Sequence, residues 1–331
     1  MVLWRHPLRW PLLLLVLTAA GGWLLSRERD LATTFALRLA FGLLAFHAVV
    51  WYTADRRRLR LTLWALTVLL AGLAALALLD TRWPTAKLLP LAPIYRRLPQ
   101  LLADTLHPNV AAAALVLLLP VPCVLLADDL PQRPWARWAL LAVIALTLAV
   151  LLLSQSRAAW LALAGMALVV AWRQIQQAWL RWLLLVLSLT AVGLLLWLAR
   201  AALAADWLNR QMVWAQGLAM LQDFGLTGIG PGSFGRLGPA LYPDFWMGDL
   251  NFVAPHAHNL FLQVGIDLGV VGLIAYLALL LTAAASAWFA WRDGAAFLVR
   301  VTGGALLLSL LALTLDGALE PVSFLDLNLP V

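Results

Sequence analysis

The feature that most constrains this chain is the recurrence of long apolar segments, at about 10–26, 31–53, 61–79, 108–126, 136–153, 158–172, 179–199, 259–291 and 296–315. Most are long enough to cross the roughly 30 Å hydrocarbon layer as a helix. With no water in that layer, a helix satisfies its own backbone groups. The pattern therefore predicts an all-α, polytopic integral membrane protein of about nine transmembrane helices, built as a single membrane domain over residues 1–331. Two segments are irregular: 158–172 is short for a full crossing, and 259–291 is long enough to include a tilted or interfacial portion. The first segment follows Arg5 and Arg9 like a signal peptide, but "GGWLLSRERD" offers no small-x-small cleavage site, so it reads as a retained helix.

Composition agrees, since 64% of residues are hydrophobic and 12% are charged, against roughly 25% charged in soluble domains. The single cysteine, Cys123, lies inside an apolar run, which excludes a disulfide framework and a cysteine metal site. A net charge of +7 could suggest nucleic acid. Here the basic residues punctuate apolar spans and form no aromatic-interleaved face, so they read as topology signals and anion ligands, with no nucleic-acid partner.

With the amino terminus inside, 12 Lys and Arg fall within 45 residues of inner loops, against 10 within 93 residues of outer ones. The positive-inside rule supports that orientation, and "DRRRLR" at 55–60 is its strongest anchor. Parity makes a firmer statement. Two spans separate 81–107 from 154–157, and two more separate 154–157 from the long loop at 200–257, so all three share one face. In the preferred orientation that face is extracytoplasmic, where chemistry depends on an activated, lipid-carried substrate.

Several polar residues on that face need a reason to be there. Arg157, in "SQSRAAWLALAG", has no acid nearer than Asp129. An arginine at membrane depth either snorkels to the interface or meets an anion such as phosphate. From Asp206, the stretch "DWLNRQMVWAQGLAMLQDFGLTGIGPGSFG" opens with a helical apolar pattern (Trp207, Met212, Trp214, Leu218, Leu221), as expected of an amphipathic helix on the membrane surface, with Arg210 on its polar side. "GIGPGSFG" lacks the spacing and the lysine of a nucleotide loop and reads as a turn-rich crossover.

In "VAPHAHNLFLQ", Asn259 is a good N-cap and Pro255 holds the preceding chain extended, so His258 sits just outside a helix amino terminus. The helix dipole there disfavours imidazolium, and a neutral histidine can act as a general base. The plainer reading is a histidine that marks the interface; His256 is closer to that reading. An H-x-H pair with no third convergent donor nearby makes a poor zinc site, so no metal is expected. Asp128 and Asp129 fall on the opposite face and read as a solvated loop.

Together, "HPNVAAAALVLLLP" at 107–120, "SQSRAAWLALAG" at 154–165, "NRQMVWAQGLAMLQDFGLTGIGPGSFG" at 209–235 and "HAHNLFLQVGIDLGVVGL" at 256–273 resemble the O-antigen ligase and polymerase family over roughly residues 60–320. The resemblance implies a metal-independent, inverting glycosyltransferase of the GT-C type in the bacterial inner membrane, with its active site facing the periplasm. By motif position it implies that Arg157, Arg210 and His258 are catalytic, with His256 and Asn259 at the substrate. No cofactor is implied. Where the family commonly has Glu in an E-x-G-x-x-G segment this chain has Asp267, which is given no catalytic part. With about nine spans against ten to twelve in many relatives, the chain reads as a compact or shortened member.

The expected reaction is glycan transfer from an undecaprenyl pyrophosphate carrier to an acceptor hydroxyl on a glycan, lipid or protein. A polymerase with the same donor chemistry is the alternative within the class. A transporter of the lipid-linked glycan is the alternative outside it, but it predicts internal repeats, and the sequence has no convincing one.

Overall fold

The computed structural model describes residues 7–81, 83, 89, 91–98, 106–128, 134–246 and 254–320. They form α1 (Arg9–Leu25), α2 (Arg29–Tyr52), α3 (Arg56–Asp80), the short α4 (Ala92–Tyr95), α5 (Pro108–Leu118), α6 (Pro120–Ala127), α7 (Pro134–Ser154), α8 (Arg157–Gln174), α9 (Ala178–Asp223), α10 (Phe234–Leu241), α11 (Leu260–Asp293) and α12 (Phe297–Gly317). Among the described residues there is no β-strand, only one bridge between Thr81 and Leu106.

Six of the nine expected spans are long and apolar enough to cross a membrane: α2, α3, α5 with α6, α7, α11 and α12. Two of the others fall short by that measure: α1 has 17 residues, and α8 ends in the polar run Arg173–Gln174. Both still pack in the bundle. The run expected at 179–199 lies wholly within α9.

The core is built from small and branched residues of five helices, including Leu70 and Ala74 of α3, Ala112 and Leu115 of α5, Val150 of α7, Ala159 and Ala162 of α8 and Ala312 of α12. Alanines at the crossings let helix backbones approach closely, which is how apolar helices gain contact energy where lipid competes for the same surface.

Two elements depart from simple spans. α9 runs unbroken for 46 residues, about 70 Å at 1.5 Å per residue, more than twice the hydrocarbon thickness. The loop expected from residue 200 therefore begins as a helical extension of the span before it. On that extension Val213 and Met220 are buried, whereas Trp207, Met212 and Leu218 of the expected apolar stripe face away from the protein.

α11 is broken at Gly269, whose φ of 73° and ψ of 179° separate residues 260–268 from 270–293. The second part alone, about 36 Å long, can cross the membrane. The glycine-rich segment fills the break, with Val270 N–H donating to Gly225 O (2.7 Å) and Ile229 N–H to Ile266 O (2.9 Å). Gly269 is required there, because a Cβ would lie 2.6 Å from the Leu226 carbonyl oxygen. This is the turn-rich crossover that the sequence suggests, and it re-satisfies the backbone that the break exposes.

Parity is borne out by contacts. The Gln155 side chain accepts from Leu89 N–H (2.6 Å) and donates to the Tyr95 hydroxyl (2.6 Å), which joins the first outer loop to the Ser154–Arg157 turn. Arg210 of α9 and Asn109 of α5 both reach Glu320, just past α12. Arg236 of α10 pairs with Glu28 and Asp30 at the α1–α2 turn. All of these lie at one end of the bundle.

The opposite end corrects the reading of Asp128. Its side chain is 2% exposed and is held by Arg60 (2.6 Å) and Arg56 (3.2 Å), so it is a buried ion partner and not a solvated loop. The "DRRRLR" arginines that suggested orientation thus also tie α3 to the end of α6. Asp129 lies outside the described residues.

Candidate active site

The site is built where α9, the start of α11 and the end of α12 meet. Asn259 caps α11, its Oδ1 accepting from Leu262 N–H (2.9 Å), while its Nδ2 donates to Ala318 O (3.0 Å). One amide thus starts α11 and ties it to the end of α12. The expected contact with substrate would compete with these two bonds.

His258 precedes it with φ of 48°, in the left-handed region. A non-glycine residue there costs of order 1–3 kcal/mol and persists only where its surroundings over-determine it. The brace is visible: Ala257 N–H donates to Gln263 Oε1 (2.7 Å), and Gln263 Nε2 donates to Asp267 Oδ1 (2.9 Å). Both side chains of that brace are buried. Asp267, given no catalytic part from the sequence, holds the histidine loop through Gln263.

His258 Nδ1 lies 3.2 Å from Glu320 Oε2. The other Glu320 oxygen accepts from Arg210 Nη2 (2.8 Å) and from Asn109 Nδ2 (3.4 Å). Burial by itself would raise the Glu320 carboxyl, but the hydrogen bond and charge of His258, together with Arg210, hold it down at about 2. An ionised carboxylate only accepts, so Nδ1 is the donating nitrogen and Nε2 of a neutral ring keeps its lone pair. A base with its tautomer fixed by a third group is the arrangement that proton abstraction requires.

Arg210 Nη1 also donates to the Leu319 carbonyl and, at 3.5 Å, to that of His258. Of the five guanidinium N–H groups, these contacts leave one on Nη2 and the Nε–H. The His256 ring sits edge-on to His258 with centroids 4.4 Å apart.

Arg157 begins α8, after the Ser156 N-cap and after Gln155, the second non-glycine residue in the left-handed region (φ 48°). α8 and α12 run antiparallel. Gly165 lies against Leu315, and Arg173 stacks on Trp291, which lies against Gly304. That direction carries Arg157 to the Glu320 end of the bundle. The contacts above join Arg210, His258, Asn259 and His256 around Glu320, whereas for Arg157 the fold establishes the shared end.

The residue that sequence reasoning missed is Glu320. Its signal was available, since it is the acid immediately beyond the last span, and parity puts that end on the site face. It also changes the metal argument, because donor atoms of His256, His258 and Glu320 lie within 4.8 Å of one another. The third donor that the H-x-H pair lacked in sequence is supplied by the fold.

No curated protein matches the chain. The family model described as O-antigen ligase matches residues 140–277, a segment that contains Arg157, Arg210, His256, His258 and Asn259 but not Glu320. Over that segment the chain is similar to the O-antigen ligase family.

Proposed function

We propose that the chain transfers a glycan from an undecaprenyl pyrophosphate carrier to an acceptor hydroxyl, as a GT-C-type, inverting and metal-independent ligase of the bacterial inner membrane with its site on the periplasmic side. The observation that carries this reading is the Arg210–Glu320–His258 chain at the end of the bundle where the outer loops meet. The family match supports ligase-like chemistry in general.

In this mechanism His258 Nε2 accepts the acceptor's hydroxyl proton as its oxygen attacks the anomeric carbon. The bond from that carbon to the pyrophosphate oxygen breaks, and the electron pair leaves with the carrier. Glu320 fixes the tautomer and stabilises the imidazolium that forms. The N–H groups of Arg210 outside the Glu320 and carbonyl contacts, with Arg157, take the pyrophosphate charge, a task suited to a planar and permanently charged guanidinium. Pyrophosphate is already a good leaving group and needs no general acid. Asn259 and Gln263 keep the histidine loop in place, and His256 borders the acceptor.

Reconstitution with a carrier-linked glycan tests the reading. Free undecaprenyl pyrophosphate should be released by the wild type and not by His258→Ala or Arg210→Ala at equal protein levels. Translocation of the glycan without release would make the chain a transporter instead. Acceptor identity separates ligase from polymerase, and it is read from the product.

A further inference from the structure

His256, His258 and Glu320 come from two separate stretches of chain, and their donor atoms converge to within 4.8 Å. Two imidazoles and one carboxylate with an open fourth position is a ligand set that zinc uses in protein sites. One ligand pair already stands at metal-binding separation, with the third donor within 4.8 Å of both. Zn–N and Zn–O bonds of about 2.0–2.1 Å at tetrahedral angles put neighbouring ligand atoms about 3.3 Å apart. His258 Nδ1 and Glu320 Oε2 stand 3.2 Å apart.

We propose that this cluster is an inhibitory zinc site, in which Zn2+ is held by a ring nitrogen of His256, by Nδ1 of His258 and by Glu320, with water in the fourth position. Zinc binding stands on the donor geometry alone; the inhibition rests on the transfer reading above. Inhibition follows from the imidazole itself. A neutral ring has one N–H, so when Nδ1 gives its lone pair to zinc the proton it carried moves to Nε2. The nitrogen that faces the acceptor then donates and cannot abstract. Arg210 opposes the metal without sharing its ligand atom, since its guanidinium holds the other oxygen of the same carboxylate at 2.8 Å and repels a second cation. Magnesium, which prefers six oxygen ligands and keeps its water, does not fit two imidazoles.

The test uses the full-length wild-type chain, purified in detergent and stripped with a chelator, then titrated with ZnCl2 in the absence of any glycan donor. One zinc per chain should bind saturably, at least tenfold more weakly in His256→Gln and in Glu320→Gln, and several-fold more tightly in Arg210→Gln. Zinc-edge X-ray absorption on the wild type needs no variant and should show two imidazoles in the first shell. In the transfer assay, zinc should stop carrier release at the concentration that fills the site, a chelator should restore it, and magnesium should do neither. Absence of saturable binding, an all-oxygen shell, or affinity unchanged in His256→Gln overturns the site. Full transfer at saturating zinc overturns the inhibition. If the chain binds zinc in this way but transfers nothing, the transfer reading fails and the metal site stands.

Discussion

Each end of the bundle buries a carboxylate against arginine, and the two arrangements serve different purposes. At one end Asp128 sits between Arg60 and Arg56 on regular helices, its side chain 2% exposed. At the other, Glu320 sits between Arg210 and His258, its side chain 15% exposed, beside a left-handed histidine and a broken helix. An acid enclosed by permanent cations can only hold helices together. An acid that shares its charge between a guanidinium and an imidazole fixes the protonation of a ring that can then move a proton. The difference teaches that an ion pair alone does not single out the proposed site; a titratable partner on irregular backbone does.

That contrast can be broken experimentally, and the largest effect belongs to the histidine. Replacing His258 with Ala should lower the transfer rate by about 10²–10⁴-fold, the usual contribution of a general base, with membrane levels unchanged. A rate within a few-fold of wild type would put His258 outside the chemistry. Glu320→Gln keeps the shape but frees the tautomer, and should lower kcat by on the order of tenfold to a hundredfold.

The same variant sharpens the electrostatics. The Glu320 carboxyl is held at about 2 in the folded chain, below its unfolded value near 4.5, so its stabilising effect is complete above about pH 4.5. It is lost as pH falls toward 2. The melting-temperature gap between wild type and Glu320→Gln should thus narrow as pH falls below about 4.5. A gap that widens below pH 4.5 would reverse that sign.

Smaller effects are expected away from the proton. Gly269→Ala forces a side chain into a glycine-only conformation and against the Leu226 carbonyl, and should cost about 3 kcal/mol. Thermal unfolding would register that loss, and carrier release should fall with it because the crossover segment no longer docks in α11. Asp128→Asn should cost about 2 kcal/mol, less than the roughly 3–5 of a fully buried pair because Arg56 keeps access to water. Its transfer rate per folded molecule should equal that of wild type. If Asp128→Asn silences the enzyme at normal abundance, the two ends are not as different as their geometry implies.

Much of this was legible along the chain. Apolar run length predicted helices in lipid, and six of the runs are long and apolar enough to span. Counting those runs put three distant loops on one face, and contacts such as Gln155 to Leu89 and Tyr95 confirm it. N-cap chemistry singled out Asn259, which does cap α11. What escaped had no local signature. The same pattern that marks a span does not say that α9 continues past residue 200.

By itself, then, the sequence determined the membrane class, the shared face of the three loops and the placement of His258 and Arg210 at that face, because hydropathy, capping and parity are properties of neighbouring residues and of counting. Only the tertiary structure decided that Glu320, 62 positions from His258 and 110 from Arg210, binds both. It alone decided that α11 breaks at Gly269 to receive the glycine-rich crossover, and that Asp128 is buried. The physical reason is that a carboxylate's partners are set by how helices pack and in what register. In a bundle whose surfaces are nearly all Leu and Ala, many registers look alike until the backbone is in place.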